Sequence, residues 1–499
     1  MAPDSTVGKI LAIAPISKPK SASNTPPEHH VLSTSTARKS SGWSSYLPSW
    51  SPSPGKTRPS LQPEGSIAGF RNPWPSWHKP TKTEVFNSLE WGADTDPCIN
   101  LAATHLCEFP EPSPASKRPN FSDLEVVDSP GAKAARLLQI QKPDFLFPSS
   151  VKTKATATWI GHAGALVQLP PLTEGNRPLR FLFDPVFGMR CFPSEYFGPI
   201  RSYPPPCDVQ DLPEIDAVFI SHNHYDHMDG ETLKGVWMKN KEIVRFFVPL
   251  GNKSTLVSWG LPEDRVFEMD WWDSTFVSSE GDSKIGVKIW CTPAQHNSAR
   301  NPVDGNYTLW SSWYLEQTRS PEKASFKVFF GGDTGYQFHS SNAWPPSPPN
   351  GQDSENKENP YPPCPAFAEI RRRIGAPDLL ILPISVGASF AYLRSFFPFP
   401  DWGNPMPRHS EGVVGANHMP PWDAVKVLLD MAGENKKAVA IGMHWGTFVT
   451  DPVEVLKTLG QLEWACQSQG VKFARELSDD DRKSHSVFLA LNHGQTVTL

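Results

Sequence analysis

From about residue 150 onward, short apolar runs alternate with stretches whose apolar residues recur every three or four positions. ATATWI, ALVQL and RFLFDP read as strands, DAVFISH as another, and DGETLKGVWMKN as a helix. RFFVPL is predicted as a strand and NKSTLVSWG as a helix, and KIGVKIWCTP, TLWSSWYLEQ, FKVFFGGD and DLLILPIS as further strands. PWDAVKVLLDMA is a helix opened by proline, AVAIGMHW a strand, and PVEVLKTLGQLEWACQSQ a long helix. Strands with helices between them predict an α/β layered domain over 150–499. Two stretches rich in Pro, Ser and Asn, near 340–364 and 390–416, read as surface insertions. Residues 1–68 carry few apolar side chains to bury and are expected to form a disordered Ser/Pro-rich tail. Residues 69–149 read as an N-terminal extension packing on the core.

Composition narrows the classes. The 499 residues are 38% hydrophobic with a formal net charge of −5, so no basic excess points to nucleic acid. The seven cysteines are scattered and show no CxxC spacing, which argues against a thiolate zinc site and for a reducing, intracellular compartment. The longest near-apolar stretch, LLILPISVGASF, is short and holds a proline, so any contact with a bilayer is expected from one side. The tail is poor in acidic residues, a weak sign of mitochondrial targeting without a clear amphipathic helix.

The chemistry concentrates in SHNHYDHMDG. His222, His224, Asp226 and His227 fall within six residues, directly after the buried run AVFI. Ligand sites of α/β sheets lie at that edge of a strand. Imidazole nitrogens and carboxylate oxygens suit Zn2+. The bland alternative is a polar loop capping a helix at Asp229, a role that does not need three histidines. One loop cannot complete two metal shells. His296 just past VKIWC, Asp333 just past FKVFF and His444 at the end of AVAIGM each close an apolar run. The seven residues fit two metals, one on His222, His224 and His296 and the other on Asp226, His227 and His444, with Asp333 bridging. Two cations would lower the pKa of a shared water and make it a nucleophile near neutral pH. No GxSxG elbow occurs, so a serine hydrolase is poorly supported.

The HxHxDH string with its distant His, Asp and His resembles the metallo-β-lactamase superfamily, which implies a four-layer αβ/βα sandwich and mostly hydrolytic, often dizinc, chemistry. Longer strings narrow the likeness. FRNPWPSW, FDPVFGMRCFPSEYFGPIR, EMDWWD, TPAQH, FFGGDTGY and AIGMHWGTF, spread over about residues 69 to 475, are similar to N-acylphosphatidylethanolamine-hydrolysing phospholipase D. EMDWWD and FGPIR have no metal-binding reason to exist, which makes the narrower resemblance specific. It implies two Zn2+ ions, Asp226 and Asp333 as catalytic carboxylates, and hydrolysis of a phospholipid to an N-acylethanolamine and phosphatidic acid. It also implies a peripheral membrane enzyme, often a homodimer. Tyr196, Asn417 and His418 match a stretch near the site and a pair near the phosphate, and the resemblance implies substrate binding for them. This chain departs from the family by having Glu195 and Asn417 where Gln is expected. His162, in the turn IGHAG, sits at another strand end, as a support for the metal centre or as a plain turn residue. Two other readings compete with the lipid hydrolase: a hydrolase of a lactone or another phosphodiester on the same metals, and a catalytically dead lipid-binding scaffold.

Overall fold

A computed structural model of the chain describes residues 12–19, 27–33, 66–92, 94–104, 116–146, 154–173, 176–192, 196, 198–278, 284–319, 325–339, 361–385, 407–409, 411–435, 437–449, 451–478, 480–481 and 485–499. Most of both proposed insertions lies outside these residues.

Two sheets form the centre of an αβ/βα sandwich. In the seven-stranded sheet, Val266–Met269, Arg245–Pro249, Ala217–Phe219 and Leu179–Phe183 run parallel. Gly164–Leu169, Thr156–Gly161 and Thr496–Thr498 continue it in antiparallel fashion. In the nine-stranded sheet, Phe326–Phe330, Leu379–Pro383, Val439–Met443, Val487–Leu489 and Lys472–Ala474 are parallel. Ser274–Ser278, Gly286–Thr292 and Ser312–Thr318 add antiparallel strands on the other side.

The layers follow from which faces are apolar. Parallel strands are covered on both faces, and their sequences are accordingly continuous apolar runs such as LLILP and VAIGM. Aromatic rings join the sheets: Phe183 stacks on Phe330 at 4.7 Å, and Phe219 meets Trp313 at 5.3 Å. Outside the seven-stranded sheet, Leu233, Val236 and Leu256 of the helices Gly230–Lys239 and Lys253–Ser258 pack on Val218, Phe246 and Val248. Outside the other sheet, the helices Ala366–Ile374, Pro421–Ala432 and Val453–Gln469 join the main core through Phe367, Val425, Leu428 and Leu459. The helix Cys98–Thr104 packs on Val453–Gln469.

Composition gives the tail no core of its own, and two described pieces of it borrow one. Ala12–Ile13 extends the nine-stranded sheet by pairing with Ser278 and Val277. His30–Leu32 pairs with Ile67–Phe70. The six described cysteines are all buried; Cys107 lies outside the described residues. Among the described residues no helix is long and apolar enough to cross a membrane.

Candidate metal centre

The parallel strands of both sheets end on the same side, and the side chains that follow them converge there. His222, His224, Asp226 and His227 come after Ala217–Phe219, Asp333 after Phe326–Phe330 and His444 after Val439–Met443. His296 follows the antiparallel strand Gly286–Thr292, and His162 follows Thr156–Gly161. Gly332 has φ +58°, and a Cβ there would collide with the Ser221 side chain. Glycine is therefore what lets the FFGGD turn bring Asp333 under the histidine loop.

All seven sequence-predicted donors meet in two groups. His222, His224, His296 and Asp333 form one, and Asp226, His227, His444 and His162 the other. In the first, the nitrogens His222 Nε2, His224 Nδ1 and His296 Nε2 stand 2.8, 3.2 and 3.4 Å apart. Donors on a tetrahedral zinc at its usual bond length stand about 3.3 Å from one another, so the spacing fits. In the second, Asp226 Oδ2 lies 3.7 Å from His227 Nε2 and 3.6 Å from His444 Nε2. Asp333 Oδ2 joins the groups, at 3.1 and 3.3 Å from His227 and His444 and 4.0 and 3.8 Å from His222 and His296.

The donor set also passes a satisfaction test. His227 Nε2, His444 Nε2 and Asp333 Oδ1 are buried without a hydrogen-bond partner among the described residues. Buried polar atoms are normally paired, so atoms that point at one another in this way suit a cation. The far nitrogens are already engaged. His227 Nδ1 donates to Asp184 Oδ2 at 2.7 Å, and His296 Nδ1 donates to the Asn417 carbonyl at 3.0 Å. Each such bond fixes a proton on the far nitrogen, so the opposite nitrogen is the one that can present a lone pair to a metal. Asp184 is itself fixed by the Ser221 backbone N–H at 2.7 Å and by the Ser221 hydroxyl.

Charge is distributed to match. Burial pushes His222, His224 and His296 below the ordinary imidazole range and keeps them neutral. Burial also pulls on His227 and His444, but neighbouring carboxylates outweigh it, Asp333 foremost; His227 is held well above its ordinary value and His444 is raised to about 9. Burial opposes ionisation of Asp226 and Asp333, yet the surrounding histidines, His227 first, hold both well below the usual carboxylate range.

The residues expected to bind substrate are placed differently from one another. His418 is buried, with Nδ1 3.6 Å from Asp333 Oδ2 and its ring stacked at 5.3 Å on His444. Asn417 offers its carbonyl to His296 and its side-chain oxygen to Asn297 at 3.3 Å. Tyr196 is 82% exposed, and Glu195 lies outside the described residues.

Two supporting contacts complete the surroundings of these donors. Asp184 closes the run RFLF just as Asp333 closes FKVFF, and that was its only signal. His162 is more than a turn residue. Its Nε2 is 2.9 Å from Asp226 Oδ2, and its carbonyl accepts from the His444 N–H at 2.9 Å. His162 and His444 both take positive φ, +49° and +63°, a strained conformation for a non-glycine residue. Both belong to the wall of a cavity that also includes Asp226, Ser385 and Phe448.

Residues 179–344 match the family model described as a beta-lactamase superfamily domain. An uncharacterized protein of Mycobacterium tuberculosis is 32% identical over 300 residues, which make up 60% of this chain and 61% of that protein. This chain therefore spans less than two thirds of that relative's length. The mitochondrial N-acyl-phosphatidylethanolamine-hydrolyzing phospholipase D of Saccharomyces cerevisiae is 29% identical over 59% of this chain and 49% of its own. The N-acyl-phosphatidylethanolamine-hydrolyzing phospholipase D 1 of Caenorhabditis elegans is 31% identical over 331 residues, 66% of this chain and 71% of that protein. Identity of that extent is a likeness of whole domains and not of one motif, and the chain belongs to the N-acylphosphatidylethanolamine-hydrolysing phospholipase D family of the metallo-β-lactamase superfamily.

Proposed function

We propose that this protein is a dizinc phosphodiesterase that hydrolyses N-acylphosphatidylethanolamine to an N-acylethanolamine and phosphatidic acid. The observation that carries the reading is Asp333 Oδ2, within 4.0 Å of imidazole nitrogens from both donor groups. Bound there, two zinc ions would supply Lewis acidity and a water activated near neutral pH.

The chain's own residues divide the remaining work. His222, His224 and His296 present neutral lone pairs, while Asp226 and Asp333 bring negative charge to balance two dications. His162 and Asp184 hold Asp226 and His227 in place through their 2.9 and 2.7 Å contacts. Burial pushes His418 down to about 4, so its ring stays neutral at pH 7 beside the donors. A neutral imidazole there offers one N–H to a phosphoryl oxygen without adding positive charge to the crowded centre. In this reading Asn417 positions that ring and the exposed Tyr196 hydroxyl meets the headgroup at the rim. The substrate is a membrane lipid, so the enzyme works from one face of a bilayer, with the exposed Met189, Phe192 and Tyr196 turned toward it.

The test pairs elemental analysis of the purified chain with an assay of N-acylethanolamine release from vesicles containing the lipid. Near two zinc ions per chain with release supports the proposal. Two metals without release keeps the hydrolase and discards the lipid. Neither metal nor release favours a scaffold.

A further inference from the structure

FRNPWPSW and EMDWWD offer no donor to the metal centre, yet the fold brings both to its edge. We infer that these two segments and the tail pair His29–His30 form a strap that positions His296, with Asn72 as its working end. This rests on the metal centre proposed above.

The strap begins at Asp270, one residue past Val266–Met269. His29 Nε2 stands 2.7 Å from one carboxylate oxygen of Asp270 and His30 Nε2 2.8 Å from the other, with all three side chains largely buried. His29 and Trp74 both stack on Trp271, at 4.2 and 5.3 Å, and Trp271 Nε1 donates to the Trp310 carbonyl. The tail is thereby pinned by close polar contact with a carboxylate and by aromatic stacking. It hands the constraint on through its backbone: His30–Leu32 pairs with Ile67–Phe70, and the Arg71 N–H donates to the His29 carbonyl at 2.9 Å.

Asn72 follows directly. Its Nδ2 donates to the His296 carbonyl at 2.7 Å, and its Oδ1 accepts from the His296 N–H at 3.2 Å. One side-chain amide thus takes both backbone polar groups of a fully buried donor residue that stands beyond the end of its strand. A sheet neighbour would fill these groups inside the ladder; outside it they need another partner. The same segment secures the preceding residue: Ser76 donates to Gln295 Oε1, and Gln295 Nε2 donates to the Ala416 carbonyl, one residue before Asn417. Backbone from Asn72 and ring Nδ1 from Asn417 together fix where His296 Nε2 points.

Outer contacts of this kind are worth about 10–100-fold in metal affinity. The test uses the full chain and its Asn72→Asp and Asp270→Asn variants. Asn72→Asp keeps the Oδ1 acceptor and replaces the donor to the His296 carbonyl with a repelling oxygen. Asp270→Asn keeps shape and removes the charge between the two histidines. Zinc affinity is read by competition with a chelator, the geometry at the metal by the visible absorption of the cobalt-substituted protein, and folding by near-ultraviolet circular dichroism. The expected result is about a 10–100-fold loss of zinc affinity in Asn72→Asp with an altered cobalt spectrum and an intact fold, and a smaller loss in Asp270→Asn. Should Asp270→Asn misfold, Asn72→Asp decides alone. Wild-type zinc affinity and cobalt spectrum in a folded Asn72→Asp overturn the strap while leaving the metal centre standing. A wild-type chain that binds no metal overturns both.

Discussion

Replacing Asp184 with Asn tests whether the proposed centre depends on a residue that is not itself one of its donors. Asp184 is fully buried and accepts from His227 Nδ1, the Ser221 N–H and the Ser221 hydroxyl. Burial raises its pKa, and the bonds from His227 and Ser221 work against that rise. Its φ of +35° is tolerated better by Asn and Asp than by most residues, so the substitution adds little backbone strain. The new amide can keep the Ser221 backbone bond, but its NH2 then faces the His227 Nδ1 proton. The mismatch has two resolutions. His227 stays as it is, and a buried donor pair is left facing itself. Otherwise the proton moves to Nε2 and occupies the lone pair meant for the metal. Either way zinc affinity should fall about 10–100-fold, about 1.4–2.8 kcal/mol, with the Asp226–His227–His444 side emptied first. The metal-free protein should lose about 1–3 kcal/mol, because a buried hydrogen-bond partner of His227 is gone while Asp226 and Asp333 remain beside it. Chelator competition and denaturant melts of the metal-free form read the two effects. Wild-type affinity for both metals in Asp184→Asn would refute the claim that this carboxylate sets the tautomer of His227.

Further outcomes follow from the geometry and charges of the site and from the packing of the fold. Asp333→Asn should abolish hydrolysis and lower occupancy of both metal positions together, read by elemental analysis beside the vesicle assay; unchanged turnover rejects the bridging role. His418→Gln should lower turnover about 10²–10³-fold while leaving two metals bound, since it removes a donor from the reacting centre and no ligand. In the metal-free protein His444 is raised to about 9, so it is protonated at pH 7 and must lose that proton to bind. Zinc affinity should therefore climb as pH rises toward 9, with proton release visible in calorimetry across buffers of different ionisation heat. The same shift makes the contribution of His444 to metal-free stability full below its unfolded value of 6.5 and lost as pH rises through about 9. Gly460→Ala should destabilise the fold although alanine is the better helix former by about 1 kcal/mol. A methyl there would overlap the Cys98 carbonyl of the packed helix Cys98–Thr104, and overpacking of that sort costs about 1–3 kcal/mol in denaturant melts.

The sequence by itself determined the parts whose evidence is local. LLILP, VAIGM and FKVFF could be read as strands because a parallel strand buried on both faces must be apolar throughout. The seven donors were legible because ionisable groups directly after such runs fall on one edge of a sheet. Ser274–Ser278 and Thr496–Thr498 were not legible, since strands beside less-covered surface keep polar residues and resemble loops. Ala12–Ile13 and His30–Leu32 were hidden in a tail whose composition offers no core, because their partners belong to other parts of the chain. What tertiary structure alone decided is who meets whom. Asp184 is 43 residues from His227 and Asn72 is 224 from His296, and each pairing depends on hydrogen bonds that form only when distant strand ends share an edge. A lone Asp or Asn in a sequence looks like a turn former. Its hold on a histidine of the proposed metal centre is a property of distance and direction, and the fold supplies both.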